Sequence, residues 1–134
     1  MVARHLKKGR TGEEIARAFL LGHGYVILDA NWRSRHGELD LVCSKNELVV
    51  VGEVKARQDT TRELPGEALT PKKRQRLVKA ASAYLSKNKL WDRRCRIDLV
   101  SVTLNTHHCQ LEHLENVVEY TEASGGGNTY WQPW

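Results

Sequence analysis

Val49-Val50-Val51-Gly52-Glu53-Val54-Lys55 joins an unbroken apolar run to two charged side chains. The run from Leu48 to Val51 is apolar on both faces, which predicts a central strand covered on each side. Charge at the end of such a strand is unfavourable unless it is paired or used. Alternate strand residues share a face, so Glu53 and Lys55 project the same way about 7 Å apart, with Val54 opposite. Just upstream, Glu38-Leu39-Asp40-Leu41 shows the same alternation, predicting Glu38 and Asp40 on one face and Leu39 and Leu41 on the other. The polar break Ser44-Lys45-Asn46 between the two stretches predicts a hairpin.

Further upstream, the spacing predicts a helix over about Gly12 to Leu21, with Ile15, Ala16, Phe19 and Leu20 as its apolar stripe. Thr11 followed by Glu14 fits a capping box, giving Glu14 a structural role. Glu13 lies at the stripe's edge, in line with Ala16 and Leu20, so it can lean along the sheet; an ordinary first-turn acid favoured by the helix dipole explains it equally well. Gly22 and Gly24 are expected to end the helix. Tyr25 to Leu28 reads as a first strand continuing through Asn31-Trp32-Arg33 to a turn at Ser34-Arg35-His36-Gly37.

Downstream of Lys55, residues 56–69 are mostly polar, with Arg57, Arg62, Pro65 and Gly66, and read as a long loop near the site. Thr70-Pro71 is a helix start, and the helix runs to about Leu85 with Leu77, Ala80, Ala81 and Tyr84 as its buried stripe. Its first two turns are crowded with Lys72, Lys73, Arg74, Gln75 and Arg76, which fit either a solvated face or a phosphate contact surface. Arg96 to Thr103 is expected to be another strand, interrupted by Asp98, which reads as the partner of a basic neighbour. Leu111 to Tyr120 holds a last strand, or a strand and short helix. These elements make residues 1–121 one α/β domain, and residues 122–134 a flexible Gly-rich tail ending in Trp131 and Trp134.

The chain's 21 Lys and Arg against 16 Asp and Glu, a formal charge of +5, favour a polyanionic partner without identifying one. No apolar run approaches the roughly 20 residues needed to span a membrane, so a soluble, cytoplasmic protein is expected. Three widely spaced cysteines, Cys43, Cys95 and Cys109, do not suggest a disulfide framework. His107-His108-Cys109 with His113 reads as a polar turn between strands rather than a zinc cluster.

Glu-x-Lys on a strand often forms a cross-strand ion-pair ladder. An aspartate one hairpin earlier and a basic helix afterwards point instead to phosphodiester hydrolysis. Mg²⁺, or Mn²⁺, accepts a few carboxylate oxygens and keeps several waters, a demand that Asp40 and Glu53 on neighbouring strands meet. The Val54 carbonyl could complete the protein ligands. Lys55 would orient or deprotonate the attacking water and stabilise developing phosphate charge.

Asp40 followed by Glu53-Val54-Lys55 resembles the motif of the PD-(D/E)XK nucleases, the restriction-endonuclease-like superfamily. More closely, the chain resembles the YraN-type family of small bacterial proteins. The resemblance rests on Gly12-Glu13 with Ala16, Gly24-Tyr25, Asn31, Arg33, Gly37-Glu38-Leu39-Asp40-Leu41, Glu53-Val54-Lys55 with Arg57, Lys73, Ala81 with Tyr84-Leu85, and Arg96-Ile97-Asp98. It implies a mixed β-sheet flanked by α-helices and kinship with archaeal Holliday junction resolvases. There a glutamate of the first helix joins the Asp and Glu-x-Lys groups, and Glu13 corresponds. Gly52 departs from the pattern, which has a bulky apolar residue before the motif glutamate. The expected function is a metal-dependent nuclease acting on DNA, with branched or repair-related DNA as candidate substrates. Its expected catalytic residues are Glu13, Asp40, Glu53 and Lys55, with Asp40, Glu53 and Glu13 holding the metal. Arg57, Lys72, Lys73 and Gln75 are expected to contact nucleic acid, and Glu38 is a weaker candidate for the cluster. The kinship also implies a homodimer. The competing functions are a nucleic-acid-binding module that does not cleave and an interaction subunit docking through its aromatic tail.

Overall fold

In the computed structural model, which describes residues 8–58, 69–105 and 107–118, the valine run is part of the middle strand of a five-stranded sheet. The described elements are α1 (Lys8–Gly22), β1 (Val26–Ser34), β2 (Gly37–Lys45), β3 (Leu48–Gln58), α2 (Pro71–Lys87), β4 (Cys95–Leu104) and β5 (Cys109–Leu114). The strands stand in chain order, and neighbours are antiparallel except β3 and β4, which run parallel. A parallel pair cannot be joined by a tight turn, and α2 supplies the crossover. This is the expected mixed α/β sheet with helices on both faces. Residues 59–68, the heart of the expected loop, and the tail at 122–134 lie outside the described residues.

Both faces of β3 are covered, as its sequence requires. Val49 and Val51 join Leu77, Ala80, Ala81 and Tyr84 in a core beneath α2, whereas Val50 joins Ala16 and Leu20 beneath α1. Each fully buried Val or Leu contributes roughly 1.5–3 kcal/mol relative to exposure, so β3 is anchored more firmly than its charged end alone would allow.

Local chemistry explains most element ends. Asn46 and Glu47 take positive φ (50° and 67°) between β2 and β3, the backbone of a tight hairpin whose turn lies slightly later than Ser44-Lys45-Asn46. Thr70 caps α2 by accepting from the Lys73 N–H at 3.2 Å, and Pro71 follows at the first helical position. Gly24 at φ +88° closes α1, with the Tyr25 N–H donating to the Leu20 carbonyl at 3.0 Å. The start of α1 differs from expectation. It begins at Lys8, so Thr11 lies inside the helix and the capping box with Glu14 is not formed. A capping signature is a local preference, and packing overrides it: a Cβ at Gly12 would sit 2.6 Å from the Ala56 Cβ, so α1 is pressed on β3 through its first turns.

β3 also runs further than expected. Ala56, Arg57 and Gln58 pair with Val102, Thr103 and Leu104, because the β4 ladder accepts backbone whatever the side chains. Between β4 and β5, the Asn105 Oδ1 accepts from the N–H groups of His107 and His108 at 2.9 and 2.8 Å, forming the expected polar turn. After β5 the described chain is not helical, and the Val117 N–H donates to the Ile97 carbonyl at 2.8 Å. Among the described residues no helix is long and apolar enough to cross a membrane.

Asp98 is fully buried and fully engaged. Arg96 donates to both its oxygens at 2.8 and 2.7 Å, His113 Nε2 lies 2.8 Å away, and the Asn116 N–H donates at 2.9 Å. Arg96 also donates to the Tyr25 hydroxyl at 2.8 Å and pairs with Glu115 at 3.4 Å. These contacts tie α1's exit, β4 and β5 together, in keeping with the ion-pair role expected from the sequence.

Candidate active site

The β2–β3 ladder pairs Lys45 with Leu48 and reaches Leu41 opposite Gly52. At the next step the two strands fork, and the Asp40 Oδ2 accepts from the Val54 N–H at 2.9 Å in place of a ladder bond. The Val54 carbonyl leaves the same edge of the strand as its N–H and faces the same fork. Asp40 and Glu53 share a hydrogen bond between their carboxyl groups. Two acids in such contact cannot both be ionised cheaply, so Glu53 keeps its proton and donates to Asp40. Burial, the Asp40 charge and the shared bond push Glu53 up to about 8, with Lys73 working against them. Asp40 is also raised, chiefly by burial, although the Val54 N–H and Glu53 offset part of the effect.

The alternation expected along Glu38 to Leu41 is broken here. Leu39 belongs to the core beneath α2 and Leu41 to the core beneath α1. The same change separates Trp32 from Ala30 on β1, which pair with Leu39 and Leu41. Between them stands Asn31, at φ +53°, a left-handed conformation that asparagine tolerates and that turns the ribbon over beside Asp40. The Asn31 amide also hydrogen-bonds Glu13, whose carboxyl is raised by burial first and by the Asp40 charge second. Glu13 thus approaches the fork from α1 as expected. Sequence reasoning gave Asn31 no role, and its tolerance of positive φ was the signal available.

On the other side, α2 closes a cleft of ≈ 220 Å³ whose described walls are Gly37, Glu38, Asp40 and Glu53 from the sheet and Lys73, Arg76 and Leu77 from the helix. Glu13 and Lys55 lie outside these walls. Lys55 follows Glu53 by two residues on β3, half-buried and level with Ser101 of β4. Glu38 is tied across the hairpin to Arg33 at 3.1 Å, which gives it a structural partner. Helix phase separates the basic residues of α2. At 100° per residue Lys73, Arg76 and Leu77 fall within about 100° of arc, whereas Lys72 lies about 40° beyond Arg76 and Gln75 points to the far side, and neither is among the described walls. Arg76 belongs to the basic run read from the sequence but not to the expected nucleic-acid contacts, and its place three residues after Lys73 was the signal. Arg57, expected to contact substrate, is 7% exposed and donates to the Ser101 hydroxyl at 3.2 Å. Its guanidinium is thereby committed inside the sheet, because β3 continues past the expected loop start. A larger cavity of ≈ 600 Å³ lies elsewhere, between the β2–β3 turn and the segment before β4, and includes none of these acids.

Two carboxyl groups at a fork, with a backbone carbonyl beside them, suit a hard cation that keeps most of its waters. Mg²⁺ or Mn²⁺ therefore fits Asp40 and Glu53. Among the described residues no three His, Cys, Asp or Glu side chains converge as a ready metal cluster. Glu13 accordingly stands behind the pair and is not a preformed third ligand in this arrangement.

A family model described as uncharacterised protein family UPF0102 matches residues 12–102, from the first turns of α1 to β4. The chain belongs to this family. The UPF0102 protein of Nitratidesulfovibrio vulgaris strain Hildenborough is 45% identical over 132 residues, covering 98% of both chains. That of Lawsonia intracellularis is 38% identical over 126 residues, 94% of this chain and 96% of its own. A UPF0102 protein from Oleidesulfovibrio alaskensis is 52% identical over 99 residues, 74% of this chain and 49% of its own. The YraN-type resemblance is thus borne out as family membership, and the UPF0102 match includes Glu13, Asp40, Glu53, Lys55, Lys73 and Arg76.

Proposed function

We propose that this protein is a metal-dependent nuclease that hydrolyses phosphodiester bonds in DNA, branched or repair-related DNA being the favoured substrate class. The observation that carries the reading is the carboxyl pair of Asp40 and Glu53, half-buried at a strand fork and hydrogen-bonded to each other, with no salt bridge to a described cation. The fold loses stability as such a pair gives up its proton, whereas a divalent cation binds the ionised pair well. When bound, Mg²⁺ or Mn²⁺ would lower the pKa of a coordinated water and neutralise phosphate charge. Asp40 and Glu53 would hold it, and binding would displace the proton that Glu53 carries. Glu13, steadied by Asn31, orients water from the α1 side. Lys55 supplies positive charge where the phosphate becomes more negative, and Lys73 does so from α2.

A non-cleaving nucleic-acid-binding module is the second reading. It is favoured by the absence of a three-acid cluster among the described residues. Incubation with linear, single-stranded and four-way-junction DNA in Mg²⁺ or Mn²⁺ separates the two. Cleavage by the wild type should fall at least about a hundredfold in both Asp40→Asn and Lys55→Ala. Cleavage that survives both substitutions would sink the nuclease reading, and salt-sensitive binding without cleavage would favour the module.

A further inference from the structure

The cleft has two unlike walls: acids on the sheet, and Lys73 and Arg76 on α2. Neither cation makes a salt bridge to a described residue, and Glu38, the remaining acid of the cleft, is taken by Arg33. Arg76 is also held in position. A Cβ on Gly37 would meet the Arg76 Cγ and Cδ at 3.2 and 3.3 Å, so the arginine stem lies flat on the backbone of the β1–β2 turn. Gly37 sits at φ +137°, a conformation that side chains rarely adopt, so the turn is built to present bare backbone there. An arginine with its stem fixed loses less freedom on binding and offers a planar fork matched to two phosphate oxygens.

We infer that Arg76 and Lys73 form a phosphate grip, taking one backbone phosphate of a nucleic-acid strand from the side opposite the acids. The proposal rests on reading the cleft as a nucleic-acid site. A space of ≈ 220 Å³ is smaller than most small-molecule pockets and has room for a phosphate and part of its sugar, not for a stacked base pair. Among the described residues its walls carry no Asn, Gln, Ser or Thr to read base edges. The grip therefore recognises the backbone and is indifferent to sequence.

The test is fluorescence anisotropy with single-stranded, duplex and four-way-junction DNA in EDTA, where binding is scored without cleavage, over a salt series. The variants are Arg76→Ala, Arg76→Lys and Lys87→Ala, the last removing one charge from the far end of α2. Arg76→Ala should weaken binding roughly tenfold and lower the salt slope by about one, equally for different sequences. Arg76→Lys should restore the slope and part of the affinity, and Lys87→Ala should change little. Wild-type affinity and slope in Arg76→Ala, or an equal loss in Lys87→Ala, would overturn the grip even where Mg²⁺-dependent cleavage persists. An Arg76-dependent loss in a protein that cleaves nothing would uphold the grip and remove the nuclease reading. A wild type that binds none of the three DNAs would remove both.

Discussion

Two groups of acids lie in this sheet, and their surroundings are opposite. Asp98 is buried with Arg96, His113 and the Asn116 N–H around it, and those partners hold its carboxyl below the usual carboxylate range despite burial. Asp40 and Glu53 are half-buried with mainly each other, and both are raised, Glu53 to about 8. The first group carries its countercharge within the fold. The second has a place for one. An acid whose partners are complete contributes structure, and a pair whose partners are incomplete is where a cation or a substrate is to be sought.

The sharpest way to break this contrast is Asp98→Ala. It strands Arg96 in the interior and should cost about 3–5 kcal/mol, read by chemical denaturation. Asp40→Asn should cost far less, or stabilise, because it removes a half-buried charge and leaves an amide oxygen that can still accept from the Val54 N–H. Equal losses would erase the distinction. Gly12→Val comes next: its side chain must push against Ala56, so a loss of roughly 1–3 kcal/mol is expected, with cleavage reduced as Glu13 moves from the fork.

Much of this was legible in the residues. The valine run, the polar break Ser44-Lys45-Asn46 and Thr70-Pro71 announced β3, its hairpin and α2 because strand burial, turn chemistry and capping are local, although the turn itself falls at Asn46 and Glu47. Thr11 misled because α1 already runs from Lys8, which leaves Thr11 inside the helix. The faces of Leu39 and Leu41 could not be read by alternation, since one left-handed residue on the neighbouring strand, Asn31, turns the ribbon. Arg57 looked like a surface cation, and its burial depends on Ser101, distant in sequence. Acid and basic residues were visible, but which acids lacked partners depended on the three-dimensional pairing.

Smaller effects sharpen the comparison through pH. The folded chain keeps Glu53 protonated to about pH 8 against 4.5 for an ordinary glutamate, so its stabilising contribution is fully present below pH 4.5 and is lost as pH rises through 8. Asp40 and Glu13, also raised, act in the same direction. Asp98 is lowered from 3.8, so its contribution is present above that value and is lost as pH falls through its folded pKa. Thermal melts should therefore show stability falling between about pH 4.5 and 8, by up to about 1.4 kcal/mol per pH unit for each proton and more shallowly in Glu53→Gln, while the loss at still lower pH from Asp98 persists. An unchanged slope between pH 4.5 and 8 in Glu53→Gln would contradict the assignment. Smallest of all is Gly52→Ala. A Cβ there meets only Leu41 Cβ at 3.7 Å, an ordinary contact. The substitution should stabilise by roughly 0.4–1 kcal/mol and leave cleavage intact, measured by denaturant midpoint.

The most direct test of the central claim is calorimetric titration of Mn²⁺ into the wild type, Asp40→Asn and Glu53→Gln at neutral pH. Saturable binding to the wild type, with proton release and a strong loss in both variants, is the expected result. A wild type that binds no Mn²⁺, or variants that bind it as tightly, would contradict the account.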